Sequence, residues 1–434
     1  MDPITWGILG IGVLIIIFLL GLPVGFSMGL IGLVGFCVVN SPSAGLSLLA
    51  RDFFDTFSSY SLSVIPMFVF MGSIAYFTGM SGRLFDASYI FFGKMKGGLA
   101  IATIAATAGF SAICGSTSAT AAAMGKVAIP EMKRYGYNQG FAAGCIAAAG
   151  GLGILIPPST IFIIYGILVQ ESIGKLFIAG VVPGILLAII FMVTVYVMCR
   201  INPSLGPAGD DTNWKQKIRG LTGIIEMVII FGLVIGGLFS GLFSPTQAGG
   251  AGAAAAIIIG LVRKQLTFKL FWAAVKDTLQ ITAMIMVVVA GAIVFGHFMA
   301  ITQMPFFVSD YIGSLPISPM AVMGLIILMY IIAGCFMDSL ALIMLTVPIL
   351  FPLVMKLGFD PIWFGVIIVL VTDIGVITPP VGINVFVIKG VVPDVPIAEI
   401  FKGTVPFLIG MIAITILIVF FPIIATWLPS FTSY

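Results

Sequence analysis

Charge is what this sequence has least of. Only 8% of its 434 residues are Asp, Glu, Lys or Arg, while 60% are hydrophobic. A soluble domain carries roughly 25% charged residues to cover its water-facing surface, so a soluble globular fold is excluded. Histidine is nearly missing: His297 stands alone, and the five cysteines (Cys37, Cys114, Cys145, Cys199, Cys335) lie scattered in apolar segments with no CxxC spacing. Zinc sites and histidine-based catalysis have too few ligands here, and His297 reads as a packed or interfacial residue. No basic cluster is interleaved with aromatics, which removes nucleic acid as a partner. The opening run Ile4–Leu20 lacks a basic n-region and a small-x-small cleavage site, so it reads as a first membrane span and not as a signal peptide.

What the chain has in quantity is apolar runs. Read against Pro, Gly and charge breaks, full spans fall near 4–20, 22–39, 62–78, 140–170, 176–200, 222–243, 246–262, 277–300, 362–389 and 403–428, about ten in all, each long enough for roughly 30 Å of hydrocarbon. Two further stretches, near 98–130 and 320–352, are too long for one span and carry a polar or Gly-containing middle, the pattern of a re-entrant helical hairpin. With the loop Arg200–Arg219 placed in the cytoplasm, only Arg51, Lys175 and Lys356 fall outside. That is a strong positive-inside bias, and both termini are then expected outside. The stretch Arg263–Lys276 mixes bulky apolar residues with lysines and reads as an interfacial helix; Leu48–Tyr60 resembles it more weakly. Glu226, near a cytoplasmic span end, is expected to snorkel or to pair with a lysine.

The second half of the chain repeats the first. At one common offset Pro23 meets Pro245, Asp55-Thr56 meets Asp277-Thr278, Pro130 meets Pro352, Gly136 meets Gly358, Gly153 meets Gly375, and Pro157-Pro158 meets Pro379-Pro380. Five spans separate equivalent points, so the second copy is inverted. Inverted repeats meeting at broken helices are a construction of secondary transporters, with the binding site near the midplane.

In each half a hairpin is followed by a span interrupted before Pro-Pro. The first hairpin turn is Cys114-Gly115-Ser116-Thr117-Ser118-Ala119-Thr120, facing Gly150-Gly151-Leu152-Gly153 and Pro157-Pro158-Ser159-Thr160. The second is Gly334-Cys335-Phe336-Met337-Asp338-Ser339, facing Thr372-Asp373-Ile374-Gly375 and Thr378-Pro379-Pro380. Tandem prolines free carbonyls from the helical ladder, and glycine lets backbone approach a ligand. Such backbone survives at membrane depth only where protein, water or ligand satisfies it. Freed carbonyls and hydroxyls suit a small hard cation such as Na⁺, and helix N-termini aimed into the same cavity favour a carboxylate. Asp338 and Asp373 need partners at this depth. Each either coordinates a cation or substrate or caps a half-helix, and the same two roles stay open for Ser116, Thr117 and Ser118. No lysine or arginine sits clearly at mid-membrane; Lys126, on the first hairpin arm, is the nearest.

These hairpin–Gly–Pro-Pro units, above all Gly150–Ser159 and Asp373–Gly382, resemble the large membrane subunit of TRAP (tripartite ATP-independent periplasmic) transporters over essentially the whole chain. The resemblance implies an all-α polytopic membrane protein of the elevator type that is not an enzyme. It implies Na⁺-driven import of an organic acid, such as a C4-dicarboxylate or sialic acid, across the bacterial inner membrane. Na⁺ is the coupling ion and there is no other cofactor. The implied partners are a small four-span membrane subunit, expected as a separate chain because no such block precedes Ile4, and a periplasmic substrate-binding protein. It also implies a division into scaffold spans (1–97 and 221–319), transport units (98–200 and 320–434) and a cytoplasmic loop (201–220).

On this resemblance Na⁺ falls to the turns and breaks: Cys114, Gly115, Ser116, Gly151, Gly153, Gly334, Met337, Asp338, Ser339, Thr372, Asp373 and Gly375. Substrate falls between them, at Ser116, Thr117, Ser118, Pro158, Ser159, Thr378, Pro380 and Asn384. The rival readings are a stand-alone ion-coupled carrier without partner subunits, a passive membrane scaffold or membrane enzyme, and a channel.

Overall fold

The computed structural model describes residues 2–209 and 213–432, and every regular element among them is helical. That outcome follows from the solvent: in lipid each backbone N–H and C=O must be satisfied within the chain, and a helix does this locally. The first half comprises α1 (Pro3–Leu19), α2 (Val24–Val39), α3 (Pro42–Ser58), α4 (Val64–Phe77), α5 (Met80–Phe92), α6 (Gly98–Cys114), α7 (Thr117–Arg134), α8 (Gln139–Ala149), α9 (Leu152–Leu155), α10 (Thr160–Val169) and α11 (Ile173–Ile201). The second comprises α12 (Trp214–Phe239), α13 (Pro245–Val262), α14 (Phe268–Ile301), α15 (Met304–Gly313), α16 (Pro319–Gly334), α17 (Ser339–Lys356), α18 (Pro361–Gly375), α19 (Ile383–Val391), α20 (Ile397–Phe420) and α21 (Ile423–Thr426).

Six of these helices are long and apolar enough to cross a membrane, and two bent pairs raise the number to eight. Each span expected from sequence falls on a helix or a broken pair, and both expected hairpins are present as α6–α7 and α16–α17. The repeat survives in detail. Pro130 and Pro352 sit inside α7 and α17. Gly136 and Gly358, just after those helices, both take positive φ. Asn138 and Asp360 cap α8 and α18, accepting the N–H of Phe141 and Trp363 at 2.9 and 2.8 Å.

The two halves are interlocked and not side by side. α2 packs on α14 and α13 on α4, while α8 packs on α20 and α11 on α18. Small residues allow this. A Cβ added to Gly25 would stand 2.8 Å from the Val288 backbone, and one on Gly144 would overlap the backbone of Gly403 and Thr404. Between transmembrane helices there is no hydrophobic drive, so such backbone-to-backbone contact is a main source of association.

Three expectations change. Arg263–Lys276 is not a separate interfacial helix: after a short link, α14 runs unbroken from Phe268 to Ile301. Its first-half counterpart does break, because α3 and the segment 61–77 meet at 54° across Ser59 and Tyr60. In the second half those positions hold Ile281 and Thr282 inside an apolar run, and nothing caps or stops the helix. The expected loop 201–220 is helical from Trp214, with Asp210, Asp211 and Thr212 outside the described residues. Glu226, buried at 3% exposure, pairs with arginines and not with a lysine: Arg83 Nη2 at 2.6 Å and Arg263 Nη2 at 2.7 Å. This ties α5 to α12 and the end of α13. His297 is half-exposed, its Nδ1 lying 2.7 Å from Oδ2 of the buried Asp52 and joining α14 to α3.

Replacing Gly144 with Val should force α8 off α20 and lower stability by about 1–3 kcal/mol, as overpacking does. Gly324→Ala, where an added Cβ meets nothing within 4 Å, should leave the melting temperature unchanged or slightly raised. Thermal unfolding in detergent compares the two, and equal melting temperatures would contradict this packing.

Candidate functional site

The site is built where helices stop. α6 ends at Cys114, Gly115 turns the chain in the left-handed region at φ +67°, and Ser116 caps α7 by accepting the Ala119 N–H at 3.4 Å. The turn leans on the first break: Thr160 Oγ1 donates to the Gly115 carbonyl at 3.0 Å. A Cβ on Gly115 would lie 2.8 Å from the Pro158 carbonyl oxygen. The second half repeats the scheme with different chemistry. Asp338 occupies the position of Ser116 and caps α17, its Oδ2 accepting the Leu340 N–H at 3.0 Å. The Val381 N–H donates to the Cys335 carbonyl at 3.3 Å. The peptide bonds Pro157-Pro158 and Pro379-Pro380 are both cis.

Behind the turns the breaks face each other. Pro157 and Pro158 offer no N–H to the carbonyls of Gly153 and Ile154 four residues earlier. The facing break closes partly on itself, with the Asn384 N–H donating to the Val376 carbonyl at 3.0 Å. Gly151 lies against the Asp373 carboxylate so closely that an added Cβ would collide with it. Gly153 faces the Ser116 carbonyl and Thr120 Oγ1, and Gly334 faces Gly375. Asn384 bridges the halves, Nδ2 donating to the Ala147 carbonyl at 3.1 Å.

This interior holds polar atoms without hydrogen-bond partners among the described residues: Thr120 Oγ1, Ser339 Oγ, Asn384 Oδ1 and both oxygens of Asp373. Buried polar groups are ordinarily paired. A carboxylate at 0% exposure with neither oxygen satisfied is a place for a cation. No three His, Cys, Asp or Glu side chains cluster among the described residues, so a cation here would be held chiefly by backbone carbonyls, hydroxyls and a single carboxylate. That donor set is hard oxygen throughout and fits Na⁺ better than zinc or another soft-ligand metal.

In front of the turns lies a cavity of about 630 Å³. It brings together Cys114, Ser116, Thr117 and Ser118 from the first hairpin with Asp338 and Ser339 from the second. Gly115 and Gly334 are buried within those turns, and Gly151, Gly153, Thr372, Asp373, Gly375 and Asn384 are buried in the interior behind them. Thr372 Oγ1 is engaged within its own helix, donating to the Ile368 carbonyl at 2.8 Å. Ser159 Oγ caps α10 by accepting the Phe162 N–H at 3.3 Å, and Pro158 backs the first turn. Met337 is half-buried in the second turn. Thr378 and Pro380 are not on the cavity wall: the Thr378 hydroxyl donates to the Ile374 carbonyl at 2.6 Å, and Pro380 is exposed.

Sequence reasoning missed part of the wall. Ser73 and Tyr76 on α4 and Asp277 on α14 line the cavity, together with Lys126 on α7, which the sequence had singled out only as the basic residue nearest mid-membrane. A signal existed in the spacing: Gly72, Ser73 and Tyr76 share one face of α4, and Asp277, Ile281 and Met284 share one face of α14.

A family model described as "Tripartite ATP-independent periplasmic transporter, DctM component" matches residues 11–424. The C4-dicarboxylate TRAP transporter large permease protein DctM of Pseudomonas aeruginosa is 36% identical, over 93% of this chain and 94% of its own length. The sialic acid TRAP transporter large permease protein SiaM of Vibrio cholerae is 33% identical, over 94% of this chain and 95% of its own. Among solved structures, the Alcanivorax borkumensis YdaH transporter superimposes with a TM-score of 0.62 at 15% identity, covering 87% of this chain and 89% of that one. It shares the fold.

Gly151→Ala fills the space against the Asp373 carboxylate. It should reduce transport by about tenfold or more, the effect of losing at least ~1.4 kcal/mol of ligand binding, while the purified protein remains folded. Transport at the unsubstituted rate would mean that the Gly151–Asp373 contact is only packing.

Proposed function

The chain belongs to the DctM-component family of tripartite ATP-independent periplasmic transporters, and from that premise we propose that it imports a small organic acid across the bacterial inner membrane, coupled to Na⁺. In this reading it is the translocating subunit. It receives cargo from a periplasmic binding protein and works beside a small membrane subunit, as the tripartite family description implies. The relatives' names, C4-dicarboxylate and sialic acid permeases, support an organic acid as cargo.

The observation that carries the coupling is Asp373: a fully buried carboxylate, both oxygens without a partner among the described residues, set against Gly151 beside the Pro157-Pro158 break. A lone charge in such a place is disfavoured strongly enough that it attracts a counter-charge. Na⁺ supplies it without needing a basic side chain. The hairpin turns sit directly over the breaks, so filling the interior and the cavity ties both turns down. Na⁺ and substrate together then favour a closed, loaded state whose polar backbone is covered, and that state crosses the membrane by sliding the hairpin-bearing units past the remaining helices. The ligands act by binding the closed state better than the open one. The empty site, with an uncompensated carboxylate, resists closing, which prevents a futile return.

In proteoliposomes containing the partner subunits and a panel of labelled organic acids, uptake should require an inward Na⁺ gradient. Asp373→Asn, which removes the charge but keeps the shape, should cut gradient-driven uptake by about tenfold or more and weaken its Na⁺ dependence. Uptake of equal rate without the gradient would overturn the coupling.

A further inference from the structure

The cavity in front of the hairpins carries charges that the Na⁺ reading does not use. Lys126 reaches it from α7, on the face defined by Ser118 and Ala122 at four-residue steps, and Asp277 reaches it from α14. Lys126 Nζ donates to Tyr76 Oη at 3.0 Å and stands 5.7 Å from the centre of that ring. Among the described residues it has no carboxylate partner, and an ammonium has three donors, so two remain for an anion. Asp277 Oδ2 accepts the Ser73 hydroxyl at 2.7 Å, and among the described residues Asp277 has no cationic partner. Asp338, the third charge on the wall, caps α17 by accepting the Leu340 N–H.

Deepening the organic-acid reading, on which it rests, we propose that the cargo is a zwitterion: Lys126 with Tyr76 receives its carboxylate, and Asp277 with Ser73 receives an ammonium or amidinium group. A dianion would satisfy Lys126 with one end and bring its other carboxylate to a wall bearing Asp277 and Asp338. Like charges in a partly desolvated cavity repel far more than in water. A zwitterion matches both ends and adds no net charge. The cavity's apolar lining, which includes Phe110, Ile281 and Met284, suits a short carbon skeleton.

The fold holds Asp277 there specifically. Its repeat partner Asp55 lies exposed on α3, beyond the 54° bend that separates α3 from α4. α14 has no such bend, so Asp277 stays in line with Ile281 and Met284 on the cavity face. At the position of Lys126 the second repeat has Pro348. Two near-symmetric halves thus produce a cavity wall on which, among the described residues, Lys126 has no carboxylate partner and Asp277 and Asp338 have no cationic one.

Three probes of matched skeleton test this: butanoate, succinate and 4-aminobutanoate, titrated calorimetrically onto the permease with its small subunit in nanodiscs, in Na⁺ and in choline. The binding protein is left out so that its own selectivity does not enter. In Na⁺, 4-aminobutanoate should bind about tenfold tighter than either other probe. Asp277→Asn should erase that preference and Asp277→Glu should keep it. Lys126→Gln should weaken all three probes, and Lys126→Arg should restore them. Na⁺-induced thermal stabilisation retained in Asp277→Asn confirms an intact fold. Succinate binding as tightly as 4-aminobutanoate, or an unchanged preference in Asp277→Asn, overturns the zwitterion and leaves Na⁺-coupled transport standing. Absence of Na⁺-dependent binding by all three probes removes both.

Discussion

One constraint governs this molecule: in lipid, a backbone group that leaves the helical ladder has to find another partner. Ordinary spans obey it by remaining unbroken, as α11 and α14 do over 29 and 34 residues. The two hairpin turns and the two Pro-Pro breaks violate it, and they do so together. Gly115 rests against Pro158, Cys335 accepts from Val381, and Gly151 meets Asp373. Each interruption is partly completed by the one opposite. What remains unsatisfied, the Asp373 carboxylate with the hydroxyls of Thr120 and Ser339, is the chemistry left for ligands.

The interlocked repeats make this arrangement possible. Close glycine contacts such as Gly144 on Gly403 bring α8 against α20, which sets the two breaks face to face at the centre of the chain. Symmetry alone would give two equal sites, yet the halves differ where function would need them to. Ser116 and Asp338 cap equivalent helices with a neutral and a charged side chain. Gly151 faces an aspartate that has no counterpart in its own half, since the residue matching Asp373 is Gly151 itself. The same repeat position is thus a carboxylate in one half and the glycine it lies against in the other.

Most of the architecture was legible in the sequence because its determinants are local. Apolar runs of membrane length, tandem prolines and a constant offset between halves are written residue by residue, and they placed both hairpins and both Pro-Pro breaks, although residues 372–375, expected to interrupt the second span, continue α18 to its end. The misreadings arose where the answer depended on tertiary contact. Lysines at helical spacing made Arg263–Lys276 look interfacial, but the apolar residues that follow let α14 continue through. Glu226 was expected to snorkel or to pair with a lysine, and the fold instead brings it to Arg83 on α5 and Arg263 at the end of α13. Asp277 was visible as half of a repeated Asp-Thr pair, yet its twin Asp55 is exposed on α3. Only the bend in one copy and the straight helix in the other decide which aspartate enters the cavity, and composition carries no trace of that.

Completion of the opened backbone at the Pro-Pro breaks by Na⁺ is read out by hydrogen–deuterium exchange of the detergent-solubilised protein in NaCl and in choline chloride. Amides of the segments 114–120, 150–160, 334–340 and 372–382 should exchange more slowly in NaCl, while those of α11 and α14 stay unchanged. Identical exchange at all four segments in the two salts would contradict it.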